Sequence, residues 1–108
     1  MGIKFKIGDV VLLTEEKGIK YKRKVSIDQA FKKCKYLVKE DFWTFNYFHQ
    51  ETIGVKQKIV SINNDGFYYT DFYYKNPISN SLEQFWFEPT ESYAKDLILV
   101  EIGVEIDR

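Results

Sequence analysis

Apolar and polar positions alternate from the start of the chain. Ile3, Phe5 and Ile7 share one side of an extended segment, Gly8-Asp9 makes a bend, and Val10-Val11-Leu12-Leu13 completes a predicted strand over Ile3 to Leu13. Lys17-Gly18 reads as a turn. Ile19 to Val25 then predicts a second strand, with Ile19, Tyr21 and Val25 on one face and Lys20, Lys22 and Lys24 on the other. The period changes at Ser26. Ser26 and Gln29 have the spacing of a capping box, and Ile27, Ala30, Phe31, Cys34, Leu37 and Val38 recur at helical intervals. These six positions cover an arc of about 120°, the width of a core-facing stripe, so an amphipathic helix is predicted over Ser26 to Lys39.

From residue 42 onward the pattern is β-like. Phe42 to His49 alternates Trp43, Phe45 and Tyr47 against Phe42, Thr44, Asn46 and Phe48, and predicts a strand. Gly54 to Ile62 is β-branched, with the alternation slipping between Ile59 and Val60 as a bulge would make it do. Asn63-Asn64-Asp65-Gly66 is the strongest hairpin signal, and the chain returns through Phe67 to Tyr74. A loop over Lys75 to Ser81 follows, then a strand over Leu82 to Glu88, about one helical turn opened by Pro89-Thr90-Glu91, and a last strand over Leu97 to Ile106. Repeats, low-complexity tracts and linkers are not seen, so residues 1–108 are expected to form a single domain.

Short, evenly spaced strands of this kind predict a mostly β (α+β) fold, a small antiparallel barrel with one helix inserted near residues 27–39. Three segments carry a family resemblance. Lys6-Ile7-Gly8-Asp9-Val10-Val11 resembles the opening strand of SH3-like barrels, Gly54 to Tyr74 resembles their central hairpin, and Trp86-Phe87-Glu88-Pro89-Thr90-Glu91 resembles the aromatic strand and helical turn before their last strand. The resemblance implies a binding domain. It names no ligand, because such barrels bind peptides, nucleic acids, modified tails and proteins. The size and the AT-rich flavour of the composition also resemble small accessory proteins of phages or mobile elements, which inhibit or redirect host machinery.

Composition narrows the class. Hydrophobic residues make up 44% of the 108 positions, enough for a core without disulfides or metal, and the one cysteine removes any disulfide framework or cysteine-based zinc site. Cys34, inside the helical stripe, is expected to be buried and inert. The start of the chain lacks the apolar run of a signal peptide, and no stretch has the roughly 20 apolar residues of a membrane span. A cytoplasmic protein making no membrane contact is therefore expected. The net charge is zero but uneven: up to Lys39, eleven basic residues face four acidic ones, and the remainder is equally unbalanced toward acid.

Catalytic motifs are missing. His49 is the sole histidine, Ser26 is better explained as a cap than as a nucleophile, and no nucleophile elbow, phosphate loop or dinucleotide-binding glycine pattern is present. No cofactor and no metal is expected, and an enzyme would need a deep polar pocket at His49 holding convergent carboxylates. Two surfaces remain. The aromatic strands offer Tyr68, Tyr69, Tyr73, Tyr74 and Trp86 as contacts for a protein partner, since exposed Tyr and Trp give large contact area at low entropic cost. The alternative is a nucleic-acid surface of Lys20, Lys22, Lys24, Lys32, Lys35 and Lys39 with Tyr36 interleaved, where lysines neutralise phosphates and a ring stacks on a base. Against it, arginine occurs only at Arg23 and Arg108, and an AT-rich genome alone would raise the lysine count. The pattern leaves the oligomeric state open.

Overall fold

A computed structural model describes residues 4–22, 25–32 and 38–103. Five antiparallel strands form one sheet in the order β4-β3-β2-β1-β5. They are β1 (Val10–Leu12), β2 (Gln57–Ile62), β3 (Tyr68–Lys75), β4 (Leu82–Phe87) and β5 (Ile98–Glu101). Four short α-helices among the described residues complete the α+β fold: α1 (Glu15–Gly18), α2 (Ile27–Phe31), α3 (Lys39–Tyr47) and α4 (Ser92–Asp96), with 3₁₀ turns at Ile19–Tyr21 and Phe48–Thr52. The edges at β4 and β5 are not joined, so the sheet is open where a barrel was expected. No helix among the described residues is long and apolar enough to cross a membrane.

The first turn explains the Gly-Asp pair. Gly8 sits at φ +96°, a conformation that suits glycine. Asp9 is almost fully buried, and its carboxyl oxygens accept hydrogen bonds from the backbone N–H of Lys6 at 3.0 Å and of Gly103 at 2.7 Å. Backbone bonds between Gly8 and Ile59, and between Ile59 and Asp9, set the start of β1 against β2. The first strand thus lies between β2 and β5; of the expected Ile3–Leu13 run, Val10–Leu12 forms the strand, Leu13 adds an isolated parallel bridge to Ile53, and Ile3 lies outside the described residues.

The segment expected as a second strand over Ile19 to Val25 is a 3₁₀ turn at Ile19–Tyr21, with Lys22 extended after it. Thr14 caps α1 by accepting from the N–H of Lys17, and Glu15 and Glu16 occupy the first turn, where the positive end of the helix dipole favours acids. Lys20 and Lys22 therefore do not share a strand face. Lys20 pairs with Asp96 at 2.6 Å, and Lys22 with Glu15 at 3.3 Å. The capping box of Ser26 and Gln29 forms as expected, and Ile27 and Ala30 pack against the core. The helix it starts ends at Phe31, however, and Lys39 opens α3, so the expected helix to Lys39 is not continuous. Lys24, Cys34, Lys35 and Tyr36 lie outside the described residues.

Phe42 to His49, expected as a strand, forms α3 and the start of the 3₁₀ turn that follows it. Glu40 and Asp41 fill its first turn, and Phe42, Trp43 and Tyr47 turn to one side and are buried. Spacings of one, four and five residues fit one helical face, whereas alternation accommodates only the four-residue spacing of Trp43 and Tyr47; the ring contacts available decide the outcome. Trp43 packs on Tyr74 and Phe48 packs on both Tyr74 and Phe85, so this element buries its rings against β3 and β4.

The hairpin and the bulge appear where the pattern puts them. Asn63 accepts from the N–H groups of Asp65 and Phe67, and Gly66 adopts φ +84°. The pairing of β2 with β3 shifts register between Ile59 and Ser61. A second shift lies between Tyr69 and Tyr73 in the β3–β4 ladder, where Thr70 Oγ1 accepts from the N–H of Phe72 and the Gln84 amide donates to the Thr70 carbonyl.

A chain of buried hydrogen bonds crosses the core. Thr70 donates to Gln57 Oε1 (2.8 Å), Gln57 Nε2 donates to the Tyr93 hydroxyl (3.1 Å), Tyr93 lies 2.6 Å from Thr52 Oγ1, and Thr52 donates to the His49 carbonyl (2.8 Å). Every link is fed by the one before it, which is how buried polar groups avoid a desolvation penalty.

Two substitutions test these joints. A Cβ on Gly103 would lie 2.6 Å from the Gly8 carbonyl carbon and 2.7 Å from Asp9 N, both backbone atoms that cannot step aside. Gly103→Ala is expected to destabilise the fold by about 1–3 kcal/mol in urea unfolding, and an unchanged midpoint would refute the contact. Tyr93→Phe leaves the Gln57 amide without its acceptor and Thr52 without the hydroxyl beside it, although Thr52 keeps its bond to the His49 carbonyl, with an expected cost of about 1–3 kcal/mol, read from the same unfolding curves.

Candidate functional site

Strand parity divides the aromatic set. Tyr68 and Tyr74 face the core and are 4% and 5% exposed, so neither can meet a partner while the domain is folded. Tyr69 and Tyr73 lie on the other side, Tyr69 half-buried and Tyr73 52% exposed. Trp86 is paired across the ladder with Tyr69 and stays half-buried. Its indole stacks on Phe67 with centroids 5.5 Å apart and planes 10° from parallel, and it also approaches Tyr69 and Phe48. Of the five proposed partner contacts, Tyr69, Tyr73 and Trp86 are available at the surface.

A recess of about 260 Å³ opens beside Trp86, between the end of β4 and the C-terminal half of α3. Phe45, Phe48 and Trp86 supply its rings; Thr44, His49, Glu88 and Glu91 complete the lining. Phe45 is 79% exposed, unusual for a phenylalanine on a helix whose opposite side fills the core. Asn76, fully buried, holds the α3 end of this region: its amide donates to Thr44 Oγ1 at 3.2 Å, and its carbonyl oxygen accepts from the N–H groups of Ile78 and Ser79.

The polar end of the recess is built by a tight loop. Glu91 Oε1 accepts from the N–H of Glu88 at 2.7 Å, and the Glu91 N–H donates back to the Glu88 carbonyl. The other oxygen, Oε2, lies 3.4 Å from His49 Nε2. That approach lacks the direction of a hydrogen bond, and Nε2 has no hydrogen-bond partner. The imidazole is held by rings, with Phe48 at 4.2 Å and Tyr93 at 4.6 Å between centroids and Tyr21 behind them. Burial works to raise the Glu91 pKa, but the neighbouring imidazole and the Glu88 N–H outweigh it and hold the carboxyl below its ordinary range.

Beneath the recess, Asp96 ties the 3₁₀ turn at Ile19–Tyr21 to α4. Its carboxyl accepts from the Tyr21 hydroxyl at 2.6 Å and pairs with Lys20. Burial and the hydrogen bond to Asp96 push the Tyr21 phenol pKa well above normal.

A histidine beside two carboxylates is what an enzymatic reading would ask of this region. The groups are mostly engaged with each other, and the described residues lining the recess include no serine, cysteine or lysine. No group of three or more His, Cys, Asp or Glu side chains among the described residues converges to hold a metal. What the arrangement offers chemically is an apolar, ring-walled space with negative charge at one end.

Of the lysine set, Lys20, Lys22 and Lys39 are each paired with a carboxylate, Lys39 with Asp28, and Lys32 is exposed on α2. Lys20 and Lys22 belong to the 3₁₀ turn at Ile19–Tyr21 and its C-cap, Lys32 is the C-cap of α2 and Lys39 opens α3. His49 is singled out in the sequence only for an enzymatic pocket; Phe45 and Phe48 are not legible as site residues, because a strand over Phe42 to His49 puts them on opposite faces, and Glu88 and Glu91 carry no signal of their own. Acids at 40 and 41 followed by Trp43 and Tyr47 four residues apart are the signal that points to the helix.

Compared with protein-family models, with curated proteins and with solved structures, the chain matches none of them.

The lowered Glu91 pKa fixes the sign of an acid effect. A carboxyl whose folded pKa is below its unfolded value adds stability above the unfolded pKa, about 4.3 for glutamate, and loses it as pH falls through the folded value. Glu91→Gln keeps an oxygen for the Glu88 N–H but removes the charge. Thermal unfolding between pH 6 and pH 2.5 is expected to fall less steeply in this variant than in the parent, and parallel curves would contradict the assignment.

Proposed function

We propose that the chain is a non-enzymatic binding module that engages a protein partner through the outer aromatic face of β3 and β4. The observation that carries this reading is the continuity of Tyr69, Phe67 and Trp86 with the ring-walled recess at Phe45 and Phe48. Rigid aromatic side chains beside a concavity are the usual composition of an interface hot spot. A small domain that occupies a partner's surface without turning over a substrate acts as an inhibitor or modulator, and that is the role proposed here.

The fold itself is proposed to be a relative of SH3-like barrels, left open. Three features support this: the Gly8-Asp9 opening of β1, the central β2–β3 hairpin, and the helix α4 placed between the aromatic strand β4 and the last strand β5. The alternative function is nucleic-acid binding through the lysines. Its support is weaker, since Lys20, Lys22 and Lys39 already have acidic partners that a phosphate would have to displace.

The two readings separate by mutation. Trp86→Ala is expected to weaken capture of a stoichiometric protein from lysate by at least tenfold, the effect of losing one hot-spot ring, while Lys22→Ala leaves it within about twofold. The reverse ranking, together with a steep salt dependence of duplex or single-strand binding, would favour the nucleic-acid surface. Circular dichroism of both variants checks that each is folded.

A further inference from the structure

The recess beside Trp86 has the composition of a receptor for one kind of group. Its walls are three aromatic rings with Thr44 and the His49 imidazole, it carries Glu88 and Glu91, and no lysine or arginine is among the described residues lining it. Ring faces present negative charge density, and a cation held against them gains further from nearby carboxylates. The buried part of Glu91 keeps its negative charge, since one oxygen is fixed on the Glu88 N–H. A neutral apolar group could use the rings but would leave the Glu88 carboxylate without a counter-charge, whereas Glu91 already has His49 beside it.

The size selects further. About 260 Å³ is below the roughly 300–1,000 Å³ of pockets that enclose drug-sized molecules. It suits a single long side chain. A metal ion is disfavoured by geometry, because the side chains that could ligate it do not converge. An organic cation on a flexible apolar stem fits both ends of the site: the stem lies along Phe45 and Trp86, and the head reaches the acids. Exposed Phe45 and Tyr73 extend the contact surface beyond the recess, as a polypeptide ligand needs.

We propose that the recess receives a lysine or arginine side chain of the protein partner, with Phe45, Phe48 and Trp86 enclosing its stem and Glu88 and Glu91 neutralising its charge. The proposal rests on the binding-module reading above and specifies its ligand. It makes this domain an acceptor of a basic segment, opposite in sign to a phosphate-binding surface.

The test uses defined probes and the full chain. Acetyl-Ala-Lys-Ala-amide, its arginine counterpart and its norleucine counterpart are titrated into ¹⁵N-labelled protein, and the Trp86 indole N–H is followed by NMR. Trp43, 2% exposed in the core, is the internal reference. The lysine and arginine peptides are expected to move the Trp86 signal and leave Trp43 in place, with affinity about five- to tenfold above that of the norleucine peptide. Glu88→Gln is expected to reduce this preference by about threefold or more. Glu91→Gln serves as the second variant, with thermal unfolding confirming that each is folded.

Norleucine binding as tightly as lysine would overturn the proposal, as would loss of neither preference nor affinity in both glutamine variants. Butylammonium binding as tightly as the lysine peptide would overturn the assignment to a partner chain and make the recess a site for free amines. These outcomes are separate from the lysate experiment. A Trp86-dependent partner captured by a domain that shows no preference for cationic peptides refutes the ligand and leaves the binding module standing.

Discussion

The hydroxyl of Tyr93 is the junction on which the architecture depends. A phenol buried this deeply needs both a donor and an acceptor, and the fold supplies them from a segment far away in sequence: Gln57 on β2 and Thr52 on the 3₁₀ turn after α3. Its ring meanwhile packs against Tyr21, His49, Phe85 and Phe87. Helix α4, sheet and helical layer are thereby set relative to one another by one residue. The consequence reaches the surface. His49 is held by the Tyr93 ring on one side, and its backbone carbonyl receives the last hydrogen bond of the Thr70–Gln57–Tyr93–Thr52 chain. The position of the recess is inherited from the core.

This arrangement also accounts for the uneven use of aromatic residues. Rings on the inner faces of β3 and β4 (Tyr68, Tyr74, Phe85 and Phe87) are buried and hold the sheet to α3 and α4. Rings on the outer side remain partly open, and the two sets differ by a single step along each strand. A bulge between Tyr69 and Tyr73 lets both sets coexist, since it bends β3 and lets the Thr70 side chain satisfy an N–H that the ladder has released.

Local features were legible in the sequence and global ones were not. The capping box at Ser26 and Gln29, the Asn63–Gly66 turn and the slip after Ile59 are determined by residues within a few positions of each other, and all three are present. Phe42 to His49 was misread because its rings satisfy two periods, and the choice of helix comes from Tyr74 and Phe85, some thirty and more residues away. The lysines near residue 20 alternate like a strand, yet the Thr14 cap and the Asp96 carboxylate decide for helical turns. For the candidate site, Trp86, Tyr69 and Tyr73 could be read from composition and spacing. Parity alone could not say that Tyr68 and Tyr74 point inward, because that depends on which side of the sheet α3 and α4 cover. Glu88 and Glu91 were invisible as site residues, since their role follows from a loop that curls back on itself.

The bond from Gly103 to Asp9 has a bearing on how the polypeptide acquires its shape during synthesis. Strand β1 is made early, but its carboxyl anchor is completed by a residue 94 positions later, and β5 covers an edge that until then is bare. On the ribosome, the meander of β2, β3 and β4 can assemble while Asp9 still lacks one of its two donors. Closure comes only after Gly103 has left the exit tunnel, so until then the nascent chain carries an unfinished sheet edge.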